Sequence, residues 1–155
     1  MKNKFMQRAI DIALQSMDEG KGGPFGAVVV KDGVVIAEGT NEVTSAGDPT
    51  AHAEVVAIRK ACLALGDFQL DGCELYTTCE PCPMCIGAIY WARPEKVYFG
   101  SEKEDAARIG FDDKFIYDEI DLAIEERKIP FVQMDRDNTI RLFEKWEDKD
   151  DKIEY

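Results

Sequence analysis

The chain carries one histidine, in His52-Ala53-Glu54, thirty residues ahead of Pro81-Cys82-Pro83-Met84-Cys85. A histidine and two cysteines three apart are metal-ligand types at metal-ligand spacing, so a fold that uses them must bring two distant segments to one point. The stretch between them reads as helix, strand, helix. A helix is expected from about Ala51 to Leu65, with Thr50 as its N-cap and Gly66 as its stop. Glu74 to Thr78 reads as a strand, and Pro81 opens a second helix reaching about Trp91, which Arg93-Pro94 ends. An intervening strand lets the two helices lie side by side with their starts at one sheet edge. Ligands bind at that edge in open α/β sheets.

The rest of the chain fits around this unit. Phe5, Ala9, Ile10, Ala13, Leu14 and Met17 recur with helical period, giving a first helix that ends near Gly20, and Gly22-Gly23-Pro24 breaks the chain. Two β-rich runs, Phe25 to Val30 and Val34 to Glu38, are joined by Asp32-Gly33, a strong hairpin signal because both central turn residues need positive φ. Residues 39–49 form a polar loop. Lys96 to Gly100 reads as a strand, Ala106 to Glu126 as short helices and loops, Ile129 to Met134 as a fifth strand, and Ile140 to Trp146 as the start of a last helix. The pattern predicts an α/β fold, an α-β-α sandwich around a central mixed five-stranded sheet. No repeat, low-complexity tract or linker interrupts it, and a single domain over 1–155 is expected.

Composition narrows the function classes. With 155 residues, 45% of them hydrophobic, there is chain enough for a real core. No run of about eighteen apolar residues exists to span a membrane. The N-terminus begins with charge as a signal peptide does, but Asp11, Gln15, Asp18 and Glu19 interrupt the apolar stretch, and a cytoplasmic setting is the default. Five cysteines is an odd number for disulfides; Cys62 and Cys73 read as small buried residues. Nineteen basic against thirty-one acidic side chains leave a net charge of −12. Phosphate backbones reward clustered Lys and Arg, so tRNA and DNA are disfavoured and a small-molecule substrate is expected.

At the two motifs, Cys82 and Cys85 stand i and i+3 on the helix that Pro81 opens, so both sulfurs can point one way. Three protein ligands leave a fourth tetrahedral position for water, whose pKa zinc can lower to about 7. Glu54 lies two residues past His52, about 200° around an ideal helix, and therefore displaced from the ligands yet adjacent. That placement suits proton transfer better than coordination. Other readings stand beside this one. The histidine alone is an ordinary cap or core residue, and a lone CxxC is structural or redox-active. Pro83-Met84 is an unusual spacer for an oxidoreductase. Cys79 could close a structural Cys₃His site with no open position, making the chain a zinc-stabilised binding module.

H-x-E followed by P-C-x-x-C resembles the zinc motifs of the cytidine deaminase superfamily. Here the motifs are Asp48-Pro49-Thr50-Ala51-His52-Ala53-Glu54 and Cys79-Glu80-Pro81-Cys82-Pro83-Met84-Cys85. Gly23-Pro24-Phe25-Gly26-Ala27-Val28 resembles that family's first strand. Gly110-Phe111-Asp112-Asp113-Lys114-Phe115-Ile116-Tyr117, Ile129-Pro130-Phe131 and the terminal Glu154-Tyr155 are similar to one branch, the bacterial guanine deaminases. The resemblance covers nearly the whole chain and is weakest over 134–152.

It implies a cytidine deaminase-like fold, one zinc per chain on His52, Cys82 and Cys85, and Glu54 as proton shuttle. It further implies that Asn41 hydrogen-bonds the base and that Asp113 is a second carboxylate beside it. Phe25 and Trp91 would supply flat apolar surface, and Tyr155 would sit on a tail, about 138–155, exchanged between the subunits of a homodimer. By residue type alone, Asn41 is an ordinary turn residue, Asp113 a solvated acid, Phe25 and Trp91 core, and Tyr155 a frayed end. The implied reaction is hydrolysis of guanine to xanthine and ammonia. A tRNA adenosine deaminase, or another nucleobase or nucleoside deaminase, shares the same zinc motifs, and triazines with a similar edge could fit the same pocket.

Overall fold

The computed structural model describes residues 3–155. Helix α1 (Lys4–Asp18) begins where the Asn3 side chain accepts hydrogen bonds from the Phe5 and Met6 amides, two donors that a helix start otherwise leaves unpaired. Strands β1 (Gly26–Lys31) and β2 (Val34–Thr40) make the expected hairpin, with φ of 51° at Asp32 and 75° at Gly33. Strand β3 (Cys73–Cys79) pairs antiparallel with β1, and β4 (Lys96–Ser101) pairs parallel with β3. The result is a mixed sheet in the order β2-β1-β3-β4.

This sheet has four strands, not the five expected. Residues 129–134 form no strand: Ile129, Phe131, Val132 and Met134 are all exposed, and Pro130 has no N–H to give a ladder. An apolar, β-branched run imitates a strand in composition, but it joins no ladder of the sheet, and the Arg127 guanidinium lies over the Phe131 ring, 5.2 Å from its centre.

Helices α3 (Ala53–Leu65) and α4 (Pro83–Ala92) cover one face of the sheet. Ala27, Val29, Cys73 and Leu75 meet Ala53, Ala57, Ile58, Ala61, Ile89 and Ala92 there. The alternate residues Val28, Val30 and Tyr76 meet Ala9 and Ile12 of α1 on the other face. Period-two alternation thus buries both faces of β1, as an α-β-α sandwich requires. β2 runs tightly against α3: a Cβ on Gly39 would stand 2.2 Å from the Ala53 carbonyl oxygen and 2.5 Å from the Ala57 amide nitrogen. Only a residue without a side chain admits that approach.

The polar loop after β2 holds one helical turn, α2 (Val43–Ala46), and α5 (Lys103–Arg108) follows β4. The chain forms two compact units, one through Asp113 and the other Lys114–Tyr155. The second contains α6 (Lys114–Asp121), a 3₁₀ turn (Ile124–Glu126) and α7 (Arg136–Glu147), which starts four residues earlier than expected. None of its residues is buried. Among the described residues no helix is long and apolar enough to cross a membrane.

Candidate active site

β2 and β3 both run antiparallel to β1, so their carboxyl ends lie at the same edge of the sheet. α3 follows β2 through the loop, and α4 follows β3 directly. Each helix opens on a metal-ligand residue. His52 is the N-cap of α3 with ψ 155°, and Cys82 is the N-cap of α4 with ψ 167°. Both starts differ from the sequence expectation. Thr50 does not cap α3, because Asp48 Oδ1 accepts from its amide at 2.8 Å and its hydroxyl at 2.7 Å, which ties it into the preceding turn. Pro83, not Pro81, occupies the first turn of α4. Cys85 is then three residues into the first turn.

Three ligand atoms converge at this edge. His52 Nδ1 stands 3.5 Å from Cys82 Sγ and 3.6 Å from Cys85 Sγ, and all three atoms lie within 4.8 Å of one another. Zinc bonds of ordinary length to nitrogen and sulfur, at a tetrahedral angle, put such atoms about 3.6 Å apart. The donor set therefore fits zinc. Cys79 stays outside it. Its thiol donates to the Glu102 carbonyl at 3.8 Å, and burial, followed by the Glu54 charge, pushes it up to about 11. The cluster therefore offers three ligands and not four, and a zinc held by them would have a position left for water.

Electrostatics at the cluster favour a ligand set ready for a cation. A hydrogen bond from the Cys85 thiol, then His52, holds Cys82 well below the ordinary thiol range. Cys85 is driven upward, first by that same bond to Cys82 and then by burial. His52 is raised by its bond to Cys82. Two cysteines and a histidine thus share protons that a metal would displace.

Glu54 is 6% exposed, and burial raises its carboxyl above the usual range. Thr77 Oγ1 donates to its Oε1 at 3.1 Å, and Cys85 Sγ to its Oε2 at 3.5 Å. The carboxylate therefore touches the cluster without belonging to it. Its expected 200° offset from His52 presumed that both residues are helical. His52 is an extended N-cap, so the burial of Glu54 and its two hydrogen bonds fix its direction instead.

Asn41 is buried at the end of β2. Its Oδ1 accepts from the Val43 amide at 3.3 Å, and Glu42 N–H donates to the Ala51 carbonyl at 2.9 Å, which draws this loop beside His52. Asp113 lies close enough for its charge to be felt at Cys79 and Cys82; burial, and after it the Cys82 charge, raises its carboxyl against a backbone hydrogen bond that lowers it. Phe25 is half-buried and meets Phe111 edge-on, ring centres 5.0 Å apart.

Trp91 is not brought to the cluster. It is 64% exposed at the far end of α4, about 13 Å along the helix from Cys82. Tyr155 is exposed, in the second unit. Thr77 was missed by sequence reasoning, although the alternation Cys73, Leu75, Thr77 puts a hydroxyl on the apolar face of β3 and could have marked it. A groove of ≈ 380 Å³ lies along α1 between Met6 and Met17; it includes Phe25 and Cys79 but none of the three clustered ligands.

Residues 1–101 match the zinc-binding region of cytidine and deoxycytidylate deaminases. The chain belongs to that family of zinc-dependent deaminases. It is 58% identical over 151 residues to the guanine deaminase of Bacillus subtilis, covering 97% of each chain. The X-ray structure of guanine deaminase from Bacillus subtilis superposes with a TM-score of 0.96 at 57% identity, over 100% of this chain and 99% of that one. Within the family, the chain falls on the bacterial guanine deaminase branch. A tRNA-specific adenosine deaminase of Aquifex aeolicus is 44% identical over 100 residues, 64% of this chain and 66% of that protein.

Proposed function

We propose that this protein hydrolyses guanine at its 2-amino group, giving xanthine and ammonia. The observation that carries the reading is a three-ligand cluster with a buried carboxylate against it and the spare cysteine turned away. The base is assigned by likeness along nearly the whole chain to a guanine deaminase, whereas the likeness to tRNA deaminases spans two thirds of it. A net charge of −12 also argues against an RNA substrate.

His52, Cys82 and Cys85 would hold the zinc, which when bound supplies an acidified water as nucleophile. Glu54 would take one proton from the attacking water and pass it to the ring nitrogen, then take the second proton from the oxygen added at C2 and pass it to the amine that leaves as ammonia. Its burial suits the first duty, taking a proton, since it raises the carboxyl above its usual range and so favours its holding a proton. Asn41, its amide oxygen occupied by Val43, presents its amide nitrogen to the base. Asp113 reads an N–H edge of the ring, and Phe25 supplies apolar surface beside it.

The protein works as a homodimer, with the C-terminal tail about 138–155 carrying Tyr155 over the partner's site. Exposed Phe115, Phe131, Leu142, Phe143 and Trp146 in a unit without a single buried residue support this, because such side chains ordinarily gain a cover. Five unpaired cysteines, two of them clustered with His52, suit a reducing cytoplasm, and a role in purine breakdown follows from the proposed reaction itself.

The test is a substrate panel. Zinc-replete protein is offered guanine, cytosine, guanosine and an adenosine-bearing anticodon stem-loop, with ammonia and the ultraviolet change followed. Turnover of guanine above the rest is expected. Turnover of the stem-loop with guanine untouched would overturn the reading.

A further inference from the structure

Thr77 sits in the middle of β3, paired to Ala27 of β1 on one side and Phe99 of β4 on the other. Its side chain is 1% exposed and shares the sheet face of Cys73 and Leu75, which pack beneath α3 and α4. A hydroxyl in that layer costs stability unless it is hydrogen-bonded, and valine would fill the same space without the cost. The hydroxyl donates to Glu54 Oε1 at 3.1 Å. The other oxygen, Oε2, is the one beside Cys85 Sγ. The two carboxylate oxygens therefore have different surroundings, one bonded to the sheet and one facing the metal cluster.

We propose that Thr77 is a positioning residue for the proton carrier Glu54: its hydroxyl pins Oε1 and leaves Oε2 to accept and release the proton. A carboxylate on a flexible side chain can rotate and exchange its oxygens. A donor fixed in the central strands of the sheet opposes that rotation, because its bond must break before the oxygens can exchange. As a ligand, Cys85 is a thiolate with no proton to donate, so Oε2 is the open acceptor. Throughout a proton's residence on Oε2, Thr77 continues to donate to Oε1, and the pair holds one geometry from pick-up to delivery. This inference rests on the reading of Glu54 as the proton carrier.

Thr77→Val and Thr77→Ser separate positioning from structure, because they predict opposite patterns. Valine keeps the packing and removes the donor: kcat is expected to fall roughly ten- to hundredfold with KM and zinc content unchanged. Serine keeps the donor and removes a methyl: kcat is expected to stay within about threefold of the parent while the melting temperature drops. Carboxylate bands isolated by infrared difference against Glu54→Gln give a readout independent of turnover. They are expected to shift in Thr77→Val and to hold in Thr77→Ser. Thr77→Val with parental kcat, Thr77→Ser with kcat lost alongside stability, or unmoved carboxylate bands in Thr77→Val would each overturn the proposal. A parent protein inert on every base would instead overturn the function, with the infrared bands still deciding the role of Thr77.

Discussion

Replacing Gly39 with alanine probes how the sheet sets the site. The new methyl would stand 2.2 Å from the Ala53 carbonyl oxygen and 2.5 Å from the Ala57 amide nitrogen, both main-chain atoms that cannot swing aside. Ordinary contact is roughly 1 Å longer, so β2 and the first turn of α3 must separate by about that much. Overpacking of this kind costs about 1–3 kcal/mol, or ~3–9 °C in melting temperature for a chain of this size. The same turn carries His52 and Glu54, and a displacement of about 1 Å in a reacting group costs roughly a hundredfold in rate. Gly87, in the exposed middle of α4 with nothing within 4 Å of an added Cβ, is the control; alanine there gains up to about 1 kcal/mol by helix propensity. Thermal unfolding, zinc content and guanine turnover are measured on both variants. Gly39→Ala matching the parent in melting temperature and rate would refute the claim that this close approach holds the site in register.

Three further outcomes follow from the geometry. Cys79→Ser should retain one zinc per chain by elemental analysis while Cys82→Ser loses it; loss of metal from Cys79→Ser would restore a closed four-ligand site. Burial, then the hydrogen bond to Glu74, pushes the Tyr76 hydroxyl up to about 12, so the fold favours its protonated form. Its contribution to stability is intact below the unfolded value of about 10 and is lost as pH rises toward 12; urea unfolding across that range should slope downward, and Tyr76→Phe should flatten the slope. Chains lacking Tyr155 should keep zinc and fold but bind guanine more weakly. Mixing them with Glu54→Gln chains should recover turnover if the tail acts on the partner's site, and no recovery would place the tail on its own subunit.

Much of the fold was legible because its signals are local. The Asp32-Gly33 turn needs two positive φ values, and the sequence offers the residues that adopt them. The helical period announced α1 as a helix but only part of its buried face: Ala9 and Ala13 are buried with Ile12 and Ser16, while Ile10, Leu14 and Met17 are exposed, and the continuous apolar run of β1 is buried on both faces. The false strand at 129–134 came from composition, which cannot report whether a neighbouring edge exists to pair with it. At the site, the ligand types and spacing named His52, Cys82 and Cys85 directly, since few folds bring that set within 4.8 Å by accident. Helix starts were less legible: Asp48 captures Thr50, a competition between two local hydrogen bonds that spacing does not resolve. Thr77 went unread because its importance lies in a contact twenty-three residues away, across the layer between sheet and helix. Trp91 was assigned by resemblance alone, and helix length separates it from the cluster within one chain.

The most direct test of the account is guanine turnover by Glu54→Gln, with zinc content measured on the same sample. Glutamine keeps the size and the acceptor for Thr77 but cannot take a proton from water. One zinc per chain, a parental melting curve and xanthine formation reduced by at least about a hundredfold are expected. Near-normal turnover with zinc in place would contradict it, because the proton would then be carried by a group other than the carboxylate buried against the metal cluster.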